Sequence, residues 1–241
     1  MVTATAYWRP STVTQAIELL ELPGAVALAG GTRLNGDPSP DRVEVVDLQA
    51  LHLEGLVPED GERLRIGALT TLQQLADAAE APTVVREAAR RERPSTLRAQ
   101  GTVGGCVVTG DPESELLAAL LVHEALVQVE TSLGSGTVPL ERLLGVLPLA
   151  PGRVVTAVTI STDGVAAVAR TARTPADRAI VAAVGRRSDA GRRVAVTGVA
   201  PTPVLVDTGV ELDPVGDFRG SGEYRRALAD VLVARVLEEI S

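Results

Sequence analysis

The chain has 241 residues, 45% apolar and 22% charged, as in ordinary soluble proteins of one large or two small domains. Asp and Glu number 31 against 23 Lys and Arg, a formal net charge of −8, and aromatics make up 2%, which argues against a nucleic-acid-binding domain with a basic footprint or base-stacking platforms. Cys106 is the single cysteine, so neither an intrachain disulfide nor an iron–sulfur cluster held by this chain alone is expected. His52 and His123 have no Cys or His at ligand spacing, so no structural zinc site is expected. No apolar run approaches the roughly 18 residues of a membrane span, and the start of the chain does not have the pattern of a signal peptide. A cytoplasmic protein is the expectation.

An extended start ends at Pro10 and leads into a helix over about 12–22. Thr12 and Gln15 have capping-box spacing, and Val13, Ala16, Ile17 and Leu20 share one helical face. Pro23-Gly24 stops it. Ala25 to Ala29 predicts a short buried strand running into Gly30-Gly31-Thr32. Asn35-Gly36-Asp37-Pro38 with Pro40 predicts a loop. Strands follow at 43–48 and 64–68, and helices at 70–79 and 83–93 on either side of Pro82. The segment from Arg98 to Val108 is glycine-dense and apolar without alternation. Asp111 suits an N-cap, Pro112 the first helical position, and Glu113 and Glu115 the first turn of a helix reaching about His123. Strands near 126–130 and 154–160 follow. Past Ser161-Thr162-Asp163-Gly164 the pattern changes to strands at 165–170, 180–184 and 193–198, with Gly185 to Gly191 as a hairpin connection. An amphipathic helix over 221–240 closes the chain. Segregated strands and helices argue an α+β fold with a boundary near 161–164.

Two glycine segments carry the chemistry. Gly30-Gly31-Thr32 follows a strand, and Gly101-Thr102-Val103-Gly104-Gly105 comes later in the chain. Paired glycines let a backbone approach a ligand closely, and successive N–H groups in such turns can cup an anion. Two such loops could grip one pyrophosphate, with Thr32 and Thr102 adding hydroxyls. The alternative is a pair of tight structural turns. Neither segment is a Walker A sequence or the three-glycine Rossmann fingerprint. Arg33 is either a bidentate phosphate partner or a solvated side chain. Cys106 is either a thiol activated by an N–H-rich turn or a small buried apolar residue. Arg86, Arg90, Arg91, Arg93 and Arg98 read as a solvated face, a docking face or a phosphate contact. His52 and His123 read as packing or surface residues, and Glu113 with Glu115 as dipole partners of a helix start. No catalytic residue is identified.

These residues resemble the flavoprotein subunits of the molybdenum hydroxylases, which include the medium subunit of carbon monoxide dehydrogenase and the flavin domain of xanthine dehydrogenase. Tyr7-Trp8-Arg9-Pro10 is similar to their opening, Leu28 to Thr32 to their first pyrophosphate loop, and Arg98 to Gly105 to their second. Asp111 to Leu116 resembles the segment that follows, and Arg219 to Arg226 the start of their last helix. The resemblance implies a two-lobed FAD-binding domain of the molybdopterin dehydrogenase (PCMH, VAO-like) type over 1–162, with lobes at about 1–52 and 53–162. A small C-terminal α/β domain over 163–241 follows. It implies FAD between the lobes, held by Ala29, Gly30, Gly31, Thr32, Arg33, Leu34, Gly101, Thr102, Gly104, Gly105 and Cys106. Ser114 and Glu115 would contact the flavin side, and Val154 and Val155 would wall the ring. It further implies electron transfer between a partner's iron–sulfur clusters and a small-molecule acceptor, in a hetero-oligomer with a molybdenum subunit. Arg33, Cys106, Glu115 and Ala169 depart from the residues usual in the family. A shortened relative acting as a structural or assembly subunit, and a stand-alone biosynthetic flavoenzyme, are the alternatives.

Overall fold

A computed structural model of the chain describes residues 3–34, 42–174, 177–206 and 212–241. The loop expected around Asn35 to Pro40 lies outside the described residues. Strand β1 (Thr3–Trp8), helix α1 (Val13–Leu20), strand β2 (Ala25–Leu28) and strand β3 (Arg42–Asp47) come first. They form a parallel sheet in the order β1-β3-β2. Thr12 Oγ1 accepts from the Gln15 amide at 3.2 Å, so α1 begins where the sequence predicts. Its Ala16, Ile17 and Leu20 pack with Val46, Leu48 and Val154. β2 is a partly exposed edge strand, not the buried strand its apolar run predicts. The middle position, covered on both sides, goes to β3.

The second sheet is antiparallel. It holds β4 (Leu56–Glu59) and β5 (Arg63–Gly67), then, after a run of helices, β6 (Leu126–Thr131), β7 (Gly134–Pro139) and β8 (Val154–Ser161). Its order is β4-β5-β8-β6-β7, so the last strand made sits in the middle. The intervening helices are α2 (Leu72–Asp77), α3 (Thr83–Glu92), α4 (Ser95–Arg98), α5 (Val103–Thr109) and α6 (Glu115–Val122), with α7 (Leu140–Leu144) after β7. α2 has a full capping box between Thr71 and Gln74. The glycine-dense segment therefore runs from the end of α4 at Arg98 through the Thr102 N-cap into α5. Thr102 Oγ1 caps Gly105 N at 3.1 Å. Every residue of α6 is buried, as expected of a helix that is apolar all round.

The α6 cap differs from the prediction. Ser114 caps the helix, accepting from Leu117 N at 3.0 Å. Asp111 instead accepts from Glu113 N at 3.0 Å and pairs with Arg178 at 2.9 Å. An Asx turn so stabilised cannot also cap a helix three residues on.

The third sheet holds β9 (Val165–Thr171), β10 (Val181–Ser188), β11 (Gly191–Val196) and β12 (Val204–Leu205), in the order β12-β11-β10-β9. α6 packs on one face, and the last helix, α8 (Gly222–Glu239), on the other. Gly185 lies inside β10 and pairs with Val194, so it does not open the hairpin as its sequence position predicts. A Cβ there would sit 2.2 Å from Val236 Cγ1. Glycine at this point lets α8 lie close on the sheet. The turn falls at Asp189-Ala190, two residues between Ser188 and Gly191.

Candidate functional site

The end of β2 and the start of α5 face each other across a cleft of about 250 Å³. Among the described residues it is lined by Ala29, Gly30, Gly31, Thr32, Arg33 and Leu34 on one side. On the other stand Gly101, Thr102, Gly104, Gly105 and Cys106, with Val154 and Val155, the first two residues of β8. Sequence segments far apart thus meet as the resemblance implies. Ser114 and Glu115 do not line it. Ser114 is fully buried and donates to Glu92 Oε2 at 2.9 Å. Glu115 is buried and binds Arg170 Nε at 3.0 Å, with Arg91 at 3.7 Å. Their polar groups serve the join between α3, α6 and β9.

The glycines have a more specific reason than ligand clearance. A Cβ at Gly30 would lie 1.7 Å from the Gln100 carbonyl oxygen, so the two segments touch through their backbones there. A Cβ at Gly104 would lie 2.8 Å from Ala68 Cβ, so this glycine seats α5 on the end of β5. Gly31 has φ +68°, a left-handed conformation that glycine adopts without strain. Gln49 Nε2 donates to Ala29 O at 3.1 Å, pinning the strand end that feeds the turn. Gln49 is itself placed by Asp47, which accepts from its amide at 2.9 Å.

The backbone donors divide unevenly. In the second segment, Gly101 N bonds Leu97 O at 2.7 Å, Val103 N bonds Thr70 O at 3.0 Å, and Gly104 N bonds Ala68 O at 2.8 Å. Gly105 N bonds Thr102 Oγ1 at 3.1 Å, and Cys106 N bonds Thr102 O at 3.0 Å. Most of the donors of the anion-cupping turn expected at this segment are therefore spent on the fold. Among the described residues, no turn, loop or cap bond uses the amides of Gly30, Gly31 or Thr32. These donors, with the Thr32 and Thr102 hydroxyls, remain for a ligand.

The walls are apolar: Leu28, Leu48, Leu69, Leu72, Val108, Val154 and Val155. Cys106 is 8% exposed. Burial pushes its thiol well up, and the Glu92 carboxylate adds to the effect. The activated thiolate considered from sequence is thus reversed, because the thiol meets apolar wall rather than free N–H groups. The arginine run also resolves. Arg86 bonds Thr83, Arg90 pairs with Glu87 and Asp77, Arg91 with Glu87, and Arg98 with Gln73 and the Arg90 carbonyl. Arg93 alone of the five lines the cleft. Arg153, which nothing in the sequence singles out, lines it too. His52 is exposed, and His123 is buried at the end of α6, with Nδ1 donating at 2.7 Å to the carbonyl of Ser161, the last residue of β8.

A cleft with free backbone donors at one end and an apolar wall at the other fits a ligand with a phosphate part and a flat apolar part. The residues present fit FAD in these respects. The comparisons point the same way. The family model for the FAD binding domain in molybdopterin dehydrogenase matches residues 3–162. YgfM of Escherichia coli, an uncharacterized protein, is 34% identical over 249 residues, covering 95% of this chain and 93% of its own. The carbon monoxide dehydrogenase medium chain of Afipia carboxidovorans is 28% identical over 279 residues, covering 96% and 95%. A chain of the reconstituted CO dehydrogenase from Oligotropha carboxidovorans superposes with a TM-score of 0.83 at 26% identity, covering 100% of this chain and 99% of that one.

Proposed function

The chain belongs to the family of FAD-binding domains in molybdopterin dehydrogenases, and from that membership we propose that it is the flavin-carrying electron-transfer subunit of a molybdenum hydroxylase. The observation that carries the reading is the one cleft shared by Ala29–Leu34, Gly101, Thr102, Gly104, Gly105, Cys106, Val154 and Val155. When bound, FAD supplies the redox chemistry, which belongs to the cofactor and not to any side chain. The protein's part is to bind and orient. Gly30, Gly31 and Thr32 offer amides to the pyrophosphate. Thr32 and Thr102 offer hydroxyls. Gly104 and Gly105 keep α5 close behind them. Val154, Val155, Leu48 and Leu69 exclude water from an apolar face. Cys106 closes that wall as a neutral thiol.

Electrons would pass between a partner's iron–sulfur clusters and a small-molecule acceptor. One cysteine cannot ligate such clusters, so they would reside in another subunit, as would the molybdenum centre. FAD binding is assigned to 1–162, in lobes at about 1–52 and 53–162, and 163–241 to a C-terminal domain. No helix among the described residues is long and apolar enough to cross a membrane, and the proposed compartment is the cytoplasm. The test is the visible spectrum of the purified chain before and after incubation with FAD and removal of the excess. Flavin absorption at one FAD per chain supports the reading. A folded but colourless chain that retains no FAD overturns it in favour of a structural or assembly subunit.

A further inference from the structure

The cleft has a charge opposite in sign to that of the molecule. The chain as a whole has 31 acidic and 23 basic residues, yet among the described residues the cleft lining holds Arg33, Arg93 and Arg153 and no Asp, Glu, Lys or His. None of the three arginines has a side-chain hydrogen bond or ion pair with a described residue, while most of the neighbouring arginines on α3 and α4 are paired. Arg33 and Arg153 are exposed and Arg93 half-buried, and three arginines around one concave site with no acid beside them in its lining offer charge that an anion in the cleft can engage. The backbone gives the same indication. In the second glycine segment the amides of Gly101, Val103, Gly104, Gly105 and Cys106 are bonded within the fold, so beyond the Thr102 hydroxyl it offers a diphosphate few donors on that side.

We infer that Arg93 and Arg153, together with Arg33, are the diphosphate-binding residues of this cleft, supplying by side-chain charge what the second segment does not supply by backbone N–H. The inference rests on the FAD reading for its ligand but makes a separate demand: the recognised group is the diphosphate and the recognising groups are guanidinium. Arg93 closes α3 as its C-cap, where the chain turns toward α4 and α5, and it lies near enough to Cys106 to act on it electrostatically. Arg153 precedes Val154, so it sits at the mouth of the apolar wall. The pair would straddle the phosphates while β8 receives the ring.

The experiment is a binding titration of the full chain with FAD, riboflavin and inorganic pyrophosphate. It compares wild type with Arg93→Gln, Arg153→Gln, the double variant and the double Arg→Lys variant. Each single Gln change is expected to weaken FAD about tenfold, the scale of one charge-assisted bond, and the double change more. Riboflavin binding should stay within about twofold. Lysines should recover part of the loss, and salt should weaken FAD binding in wild type more than in the double variant. Circular dichroism confirms that the variants fold. If wild type binds FAD and the double Gln variant binds it equally well, or loses riboflavin to the same extent, the inference falls and the FAD reading stands. If wild type binds no FAD but binds pyrophosphate in an arginine-dependent way, the FAD reading falls and the inference stands. If it binds neither, both fall.

Discussion

Gly30 illustrates what a single position decides. Its missing Cβ leaves room for the Gln100 carbonyl at a point where any side chain would lie 1.7 Å away. Gly30→Ala should therefore push the first turn off the second segment. The expected cost is about 1–3 kcal/mol, typical of overpacking, together with loss of bound flavin; denaturant midpoints and flavin retention measure the two. The glycine was legible in the sequence, but its purpose was not, because what it touches is a backbone atom that only the tertiary fold brings there. His123 is a second case. Burial lowers its pKa from 6.5 to about 4, and the Arg186 charge adds to this. The neutral ring is the one that folds, so the unfolded chain binds the proton more readily. Stability is then full above pH 6.5 and is lost as pH falls from 6.5 through about 4, by up to about 3 kcal/mol. His123→Asn keeps a donor for Ser161 O and removes the titration. Unfolding curves at neutral and mildly acid pH should show a shallower loss in the variant than in wild type.

At the level of elements, α6 is the join. It lies buried between α3 and the third sheet, and the loop after it is clamped by Arg186 of β10. That guanidinium is 2% exposed and pairs with Asp163 and with Glu124, the latter at 2.9 Å, while also donating to Val122 O at 3.2 Å. Arg186→Gln leaves two carboxylates and a buried carbonyl without their partner. Because the acids are about a third exposed and can rehydrate, the expected loss is about 2–4 kcal/mol, read from urea unfolding. The sequence made α1 legible through its cap and apolar spacing, and placed the last helix at 221–240, where α8 lies. It made β7 illegible: Gly134–Pro139 is polar, glycine-rich and exposed, and is a strand only because β6 offers it an edge. The α6 cap moved from Asp111 to Ser114 because Arg178, distant in sequence, engages the aspartate.

For the whole molecule, the site is a contract between segments rather than a motif. The resemblance named Ala29–Leu34, Gly101, Thr102, Gly104, Gly105, Cys106, Val154 and Val155, and these residues line one cleft. It could not anticipate that Ser114 and Glu115 turn inward, since their partners Glu92 and Arg170 lie on other elements, nor that Arg153 turns toward the site. A ligand gripped by both sides should stabilise the fold by linkage. FAD at about 100 times its Kd should add about 2.7 kcal/mol, seen as a rise in melting temperature that scales with FAD and that riboflavin reproduces only weakly at equal concentration.

The central place of β8 sets a timetable for synthesis. The β4–β5 and β6–β7 hairpins emerge from the ribosome first, and the inner edges of β5 and β6 stay open until β8 is made and joins both. Unpaired strand edges invite pairing with other chains, so the nascent protein is most exposed to misassociation in that interval. Val154 and Val155 belong to the same strand. The strand that joins the two hairpins also completes the wall of the cleft, so the wall that would receive the flavin exists only once the sheet's inner edges are paired.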